Sequence, residues 1–252
     1  MELKKLLDFS AEVGKGLLEN GAETSRVEDT LTRIIRHFYD GHSEIFVVMT
    51  GFFVNIGTYT TTVRVRNRTI NLDKVSKINM LSRDIVDGKI SFNTATERFG
   101  EIKGQPPYPL WIKTAAVAVC CSFFTLLESG NLSDSLNSFI VGAVLNVLIW
   151  FMRKKHTADF IITFTGGAMI AVLTVLLYAA GLGTNINAMI TGSIMPLVPG
   201  LGITNALRDI IAGDYLSGGA RMFDAIVVAV ALAAGAGSVM YMIGYMSGGK
   251  LL

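Results

Sequence analysis

The stretch PLVPGLGITNALRD, Pro196 to Asp209, decides how the chain is read. It begins in an apolar segment, is interrupted by Pro196, Pro199, Gly200 and Gly202, and closes on the adjacent charges Arg208 and Asp209. Proline removes a backbone donor and clashes with the preceding turn, so an apolar helix cannot run through it undisturbed. A bilayer has no water to satisfy the freed backbone groups. A broken helix ending in charge is sustained there only where protein or a water-filled cavity surrounds it. The stretch is therefore a candidate solute site in a membrane protein.

The composition around it agrees. Of the 252 residues 51% are hydrophobic and only 17% charged. Residues 1–107 hold 15 of the 22 Lys+Arg and 14 of the 20 Asp+Glu, which leaves 7 and 6 for residues 108–252. That asymmetry predicts two domains, a polar one over 1–107 and a membrane one over 108–252. The formal net charge of +2, +1 in each part, gives no sign of a nucleic-acid surface or a polybasic lipid-binding patch, and no nucleic-acid partner is expected. Cys120 and Cys121 are neighbours in an apolar run and read as small buried residues. The N-terminal stretch carries Glu2, Asp8, Glu12 and Glu19 and lacks the apolar core of a secretory leader.

In the polar half, Leu3, Leu6, Leu7, Val13, Leu17 and Leu18 recur at helical spacing, and Asn20-Gly21 ends that helix. A second helix follows, with Val27, Leu31, Ile34, Ile35 and Phe38 on its apolar face and Ser25 and Glu28 spaced as a capping box. Glu23, Arg26 and Glu28 cluster at its start, as helix-end electrostatics or as a functional polar group. From Glu44 to Arg68 the residues turn β-branched and aromatic; Val63 and Val65 alternate with Arg64, Arg66 and Arg68, which predicts two or three antiparallel strands with turns near Gly51 and Gly57. Two shorter amphipathic helices complete the half, so the expected class is a soluble α+β N-terminal domain followed by an α-helical transmembrane domain. His37 and His42 have no third ligand in view, and no metal site or cofactor is expected.

GQPPYP, Gly104 to Pro109, links the halves, with Tyr108 and Trp111 suited to a membrane interface. Beyond it about five spans are expected, each of roughly 20 mostly apolar residues: Trp111–Leu127, Leu136–Met152, Phe160–Leu182, Asn187–Ile203 and Ala225–Met246. The turn Arg153 to His156 reads RKKH, whereas the turns after the first and third spans have no Lys or Arg. By the positive-inside rule that turn and residues 1–107 are cytoplasmic. An odd number of spans suggests half of a transporter built from paired repeats. The small-residue spacings Gly167/Ala171, Ala233/Gly237 and Gly244/Gly248 read as helix-packing contacts, and Asn137, Asn146, Thr163, Thr165, Asn185 and Asn187 as interhelical hydrogen-bonding groups or cavity lining.

After Pro199-Gly200 the chain is expected to restart as a short helix near Thr204-Asn205, whose amide end can hold a carboxylate, with Arg208 one turn on as a bidentate partner. Asp209 is placed to pair with Arg208 or to take up a coupling proton, and Asp214 and Arg221 are weaker candidates for the same cavity. The competing reading has Arg208, Asp209, Asp214 and Arg221 simply solvating a cytoplasmic loop. No Walker A loop, nucleophile elbow, HExxH or dinucleotide fingerprint is present, and no nucleophile stands beside a base. No catalytic residue is therefore expected.

Two motifs, LLENGAETSRVEDTLTRI (Leu17 to Ile34) and PLVPGLGITNALRDIIAGDYLSGGAR (Pro196 to Arg221), resemble the threonine/serine exporter family. The family pattern falls on Pro196, Pro199, Gly200, Thr204, Asn205, Arg208, Asp209, Gly213, Asp214, Ser217, Gly218 and Arg221, and in the first motif on Gly21, Glu23, Arg26 and Glu28. The resemblance implies proton-driven export of threonine, serine or, in split members, a dicarboxylate such as succinate. Full-length relatives carry twice as many spans. This chain thus resembles the larger subunit of the split form, whose small membrane partner supplies the rest; whether it also forms a homo-oligomer is left open by the sequence.

The expectations are an inner-membrane exporter subunit binding a small carboxylate at Pro199, Gly200, Thr204, Asn205 and Arg208, with Asp209 and Asp214 for proton coupling and Glu23, Arg26, Glu28 and Arg221 as a secondary polar cluster. The alternatives are a membrane-anchored hydrolase, or a regulatory or assembly module in the first 107 residues.

Overall fold

Helix α1 (Leu3–Glu19) buries Leu6, Leu7, Val13, Leu17 and Leu18 as its spacing predicts. It ends where Gly21 takes a φ of +89°. The Gly21 and Ala22 amides then donate back to the Leu18 and Leu17 carbonyls, a Schellman turn that glycine alone enters without strain. A computed structural model describes residues 2–66 and 68–247. Helix α2 (Thr24–Phe38) buries Val27, Leu31, Ile34 and Ile35. The expected Ser25/Glu28 capping box does not form: the helix starts two residues earlier than that box requires, Glu23 is its N-cap, and no side chain caps it.

Strands β1 (Ser43–Val48), β2 (Gly51–Ile56) and β3 (Tyr59–Arg64) form an antiparallel sheet in the order β1-β2-β3. On β2 the residues Phe52, Val54 and Ile56 turn inward, two apart. The register sets Phe52 between Val47 and Val63. Helices α3 (Leu72–Val86) and α4 (Phe92–Gly104) follow, capped by the Asn71 and Ser91 side chains. One core joins these elements: Leu6, Leu17, Leu31, Ile35, Phe52, Val54, Ile78, Ile85 and Phe99 lie in a single buried cluster.

The membrane half contains α5 (Leu110–Leu127), α6 (Leu132–Lys154), α7 (Asp159–Ala179), α8 (Ile186–Ile194), a 3-10 turn (Met195–Leu197), α9 (Gly200–Ile211) and α10 (Tyr215–Met246). Four of them (α5, α6, α7 and α10) are long and apolar enough to cross a membrane. The expected span Asn187–Ile203 is instead a bent pair, α8 with its 3-10 turn and then α9, with a 55° bend at the Val198-Pro199 break, and counts as a fifth span only if the two pieces are taken together. The prolines break the segment as expected, but α9 restarts at Gly200, so Thr204 and Asn205 lie inside the helix and not at its amide end.

The expectation of a soluble α+β domain followed by a helical one does not hold. The structure is 73% helical, and its sheet is confined to residues 43–64. The β-type pattern is too short for more than three six-residue strands, and the remaining apolar faces of residues 2–106 belong to four amphipathic helices. The chain forms two compact units, one made of Met1–Pro106 with Leu201–Met222, the other of Pro107–Gly200 with Phe223–Leu252. The first unit is thus assembled from both halves of the sequence.

Within the second unit, Gly167 abuts α10, where an added Cβ would lie 2.7 Å from the Leu232 carbonyl oxygen. Gly235 likewise meets the Phe164 carbonyl. Ala171, Ala236 and Val239 form a buried cluster. Ala233 and Gly237, in contrast, face outward on α10, and the packing stripe runs through Leu232, Gly235, Ala236 and Val239. Gly248 lies outside the described residues. Several polar groups of this unit bond to other groups of the same unit. Asn137 donates to the Leu182 carbonyl at 2.7 Å, Asn146 to Thr114 Oγ1 at 2.8 Å and Thr163 to the Asp159 carbonyl at 2.9 Å, and Asn185 caps α8.

Candidate functional site

Two Schellman turns build the polar cluster of the first unit. The first is the Gly21 turn between α1 and α2. The second closes α9, where Gly213 takes a φ of +93° and the Gly213 and Asp214 amides donate to the Ile210 and Asp209 carbonyls. On α9, Arg208 and Asp209 follow Asn205 at three and four residues, so each neighbours Asn205 on the helix surface; from Asp214, Ser217, Gly218 and Arg221 follow at three, four and seven. Gly218 lets α9 and α10 approach closely, since a Cβ there would lie 2.8 Å from the Ala206 carbonyl oxygen and 2.9 Å from the Ile210 nitrogen.

These faces meet the start of α2. Asn205 Nδ2 donates to the Gly21 carbonyl at 3.3 Å, and Arg221 Nη2 to the Ala22 carbonyl at 2.8 Å. Arg208 Nη1 pairs with Glu23 Oε1, while Arg26 approaches the other Glu23 oxygen at 3.5 Å. The Thr24 hydroxyl donates to Asp209 Oδ1 at 2.8 Å and lies 3.2 Å from Asp214 Oδ2. Arg221 Nε sits 2.9 Å from Asp209 Oδ2. That contact is an ion pair without an aligned hydrogen bond: the N–H does not point along it, and both atoms are buried with no hydrogen-bond partner among the described residues.

Burial separates the members. Asp209 and Thr24 are wholly buried, and the Arg221 side chain is 11% exposed. Arg208 remains 57% exposed against 12% for its partner Glu23. Glu28, on the same helix as Thr24, has its carboxyl pushed above the ordinary glutamate range, chiefly by burial and next by the charge of Asp214. Asp209 and Arg221 therefore do not merely solvate a loop. No group of three His, Cys, Asp or Glu that could hold a metal occurs among the described residues.

Of the residues singled out in the sequence, the fold brings together Glu23, Asn205, Arg208, Asp209, Asp214 and Arg221, with Glu28 alongside and Arg26 on the outer side. Arg208 and Asp209 do not pair with each other, because neighbours on a helix project about 100° apart. Pro199 and Gly200 stand at the break itself, and Thr204 lies one turn before Arg208. Sequence reasoning missed Thr24 and the carbonyls of Gly21 and Ala22. Thr24 sits inside the first motif, but nothing in its spacing marks a hydroxyl whose partners lie 185 and 190 residues away.

Comparison with known proteins gives the context. The family described as "Putative threonine/serine exporter" matches residues 8–243. A "Probable threonine/serine exporter" of Mycobacterium tuberculosis is 21% identical over 242 residues, covering 93% of this chain and 46% of that protein. The chain therefore spans about half the length of that relative. The "Probable succinate transporter subunit YjjP" is 24% identical over 232 residues in Escherichia coli, covering 89% of each chain, and 26% identical over 235 residues in Klebsiella aerogenes, covering 90% and 88%. No solved structure matches. These relatives are named as transporters and not as enzymes, which sets aside the membrane-anchored hydrolase. With its several long apolar helices the protein is a multi-pass membrane protein, and the chain belongs to the threonine/serine exporter family.

Proposed function

We propose that this chain is a subunit of a proton-coupled exporter that moves a small carboxylate, threonine, serine or a dicarboxylate such as succinate, out of the cytoplasm across the inner membrane. In this reading residues 1–107 lie on the cytoplasmic side and residues 108–252 carry the spans. A second small membrane protein supplies the other half, in keeping with the subunit name of the relatives that this chain covers almost fully.

The observation that carries the reading is the pairing of Arg208 with Glu23. A half-exposed guanidinium held by a carboxylate of its own chain can exchange that carboxylate for one from solution, since both make the same charge-assisted contact. Thr204 and Asn205 share a face of α9 with Arg208, and Pro199 and Gly200 make the break that frees this helix from the preceding span. Asp209 and Asp214 are the acids for proton coupling, with Arg221 and Glu28 beside them and Arg26 on the outer side against Glu23.

The test is export by cells lacking and then regaining the chain together with its membrane partner, with threonine, serine and succinate measured in the medium. Arg208→Ala, at normal membrane levels, should reduce export of the restored metabolite to the level of the deletion. Export at the wild-type rate removes Arg208 from the site.

A further inference from the structure

One hydroxyl in this protein meets two carboxylates. Thr24 Oγ1 lies 2.8 Å from Asp209 Oδ1 and 3.2 Å from Asp214 Oδ2. A hydroxyl has one proton to donate and lone pairs to accept with, so it cannot satisfy two ionised carboxylates equally. With one proton on the acid pair, all three groups are satisfied in a directed chain: one carboxyl donates to Thr24 and Thr24 donates to the other. The two acids also differ in access. Asp209 is wholly buried, while Asp214, in the turn after Gly213, is partly exposed.

We propose that Thr24 is the proton bridge of the exporter, passing a proton between the partly exposed Asp214 and the buried Asp209. This rests on the proton-coupling reading given above. In the inward step the O–H bond of the Asp214 carboxyl breaks as its proton bonds to Thr24 Oγ1. The Thr24 O–H bond breaks at the same time and its proton bonds to Asp209 Oδ1. Thr24 stays neutral, and one proton has moved from Asp214 to Asp209. Asp209 then no longer balances Arg221, whose Nε is held 2.9 Å from Oδ2 by charge and not by an aligned hydrogen bond. A proton on Asp209 is thus converted into a weaker hold between α9 and α10. The other charged groups around the bridge are Glu23, Arg26 and Glu28 on the α2 side, Arg208 on α9, Arg221 on α10 and Arg68 beyond β3.

The experiment uses everted vesicles carrying the full chain with its native partners, and radiolabelled L-threonine, L-serine and succinate as probes. Two rates are compared: uptake driven by an acid-inside pH gradient, and exchange of preloaded label at equal pH, which needs no net proton transfer. Thr24→Val is expected to lower gradient-driven uptake by about a hundredfold, the scale of a lost positioned proton-transfer group, and to leave exchange at the wild-type rate. Thr24→Ser, which keeps the hydroxyl, is expected to restore uptake. Wild-type uptake in Thr24→Val overturns the bridge, and so does a parallel loss of uptake and exchange. Asp209→Asn separates the two ideas: if it leaves gradient-driven uptake intact, proton coupling through this cluster fails, whereas an uncoupled Asp209→Asn beside a fully coupled Thr24→Val overturns the bridge alone.

Discussion

Arg221 Nε stands 2.9 Å from Asp209 Oδ2, with the carboxylate wholly buried, yet its N–H is not aimed along that line. The guanidinium spends its aligned bond on the Ala22 carbonyl at 2.8 Å. The pair is therefore held mainly by charge, and either partner left alone is a buried ion.

Removing that partner has a defined consequence. Arg221→Met leaves Asp209 buried without a counter-charge and should destabilise the protein by about 3–5 kcal/mol. Adding Asp209→Leu should recover most of the loss, because a matched apolar pair carries no desolvation cost. Denaturant unfolding of the full chain in lipid nanodiscs checks both; equal stability of the single variant and wild type disproves the structural role of the pair.

Adjacent glycines on α10 should respond in opposite ways. At Gly218 a Cβ would lie 2.5 Å from Ile210 Cγ1 and under 3 Å from α9 backbone, at 2.8 and 2.9 Å. Gly218→Ala should therefore cost about 1–3 kcal/mol by overpacking. At Gly219 nothing lies within 4 Å, and Gly219→Ala should stabilise by roughly 0.5–1 kcal/mol through helix propensity. The difference between the two melting curves is the measurement.

Glu28 sets a pH dependence. Its raised pKa means that the folded state binds this proton more tightly than the unfolded chain does. The stability it contributes is complete below the ordinary glutamate value and is lost as pH rises through the raised one. Glu28→Gln should accordingly increase stability near neutral pH and change little in acid. Unfolding midpoints of the full chain across that range give the answer, and a gain confined to acid reverses the sign.

In the second unit, Asp134 at the start of α6 is wholly buried. Its carboxylate accepts from the backbone N–H groups of Thr184 at 2.6 Å, Asn185 at 3.2 Å and Asn131 at 3.1 Å. Asp134→Asn replaces one acceptor oxygen with a donor facing donors and should cost about 1.5–3 kcal/mol, the scale of a charged hydrogen bond. Faster hydrogen exchange at Thr184 and Asn185 is the accompanying signature.

Much of this was legible before any coordinates. The faces of α1 and α2, the short antiparallel strands with turns near Gly51 and Gly57, the break at Pro199 and the charges after it all follow from local periodicity or the backbone demands of proline and glycine. The errors have local causes too. Ser25 and Glu28 have capping-box spacing, but helix α2 starts at Thr24. Thr204 and Asn205 are good cap residues, but glycine at 200 and 202 does not prevent a helix from starting earlier. Ala233 and Gly237 have packing spacing on a helix that packs through its neighbouring stripe.

By itself the sequence determined the long apolar runs, the broken segment and a set of charged residues on either side of a long separation, because apolar run length, proline and charge act within a few residues. Only the tertiary structure decided the partners. Arg208 joins Glu23 and not its neighbour Asp209; Asp209 joins Arg221; and Thr24 reaches both Asp209 and Asp214. Those choices depend on which helix faces are buried together, and burial is what makes one carboxylate require one particular arginine and one hydroxyl instead of water.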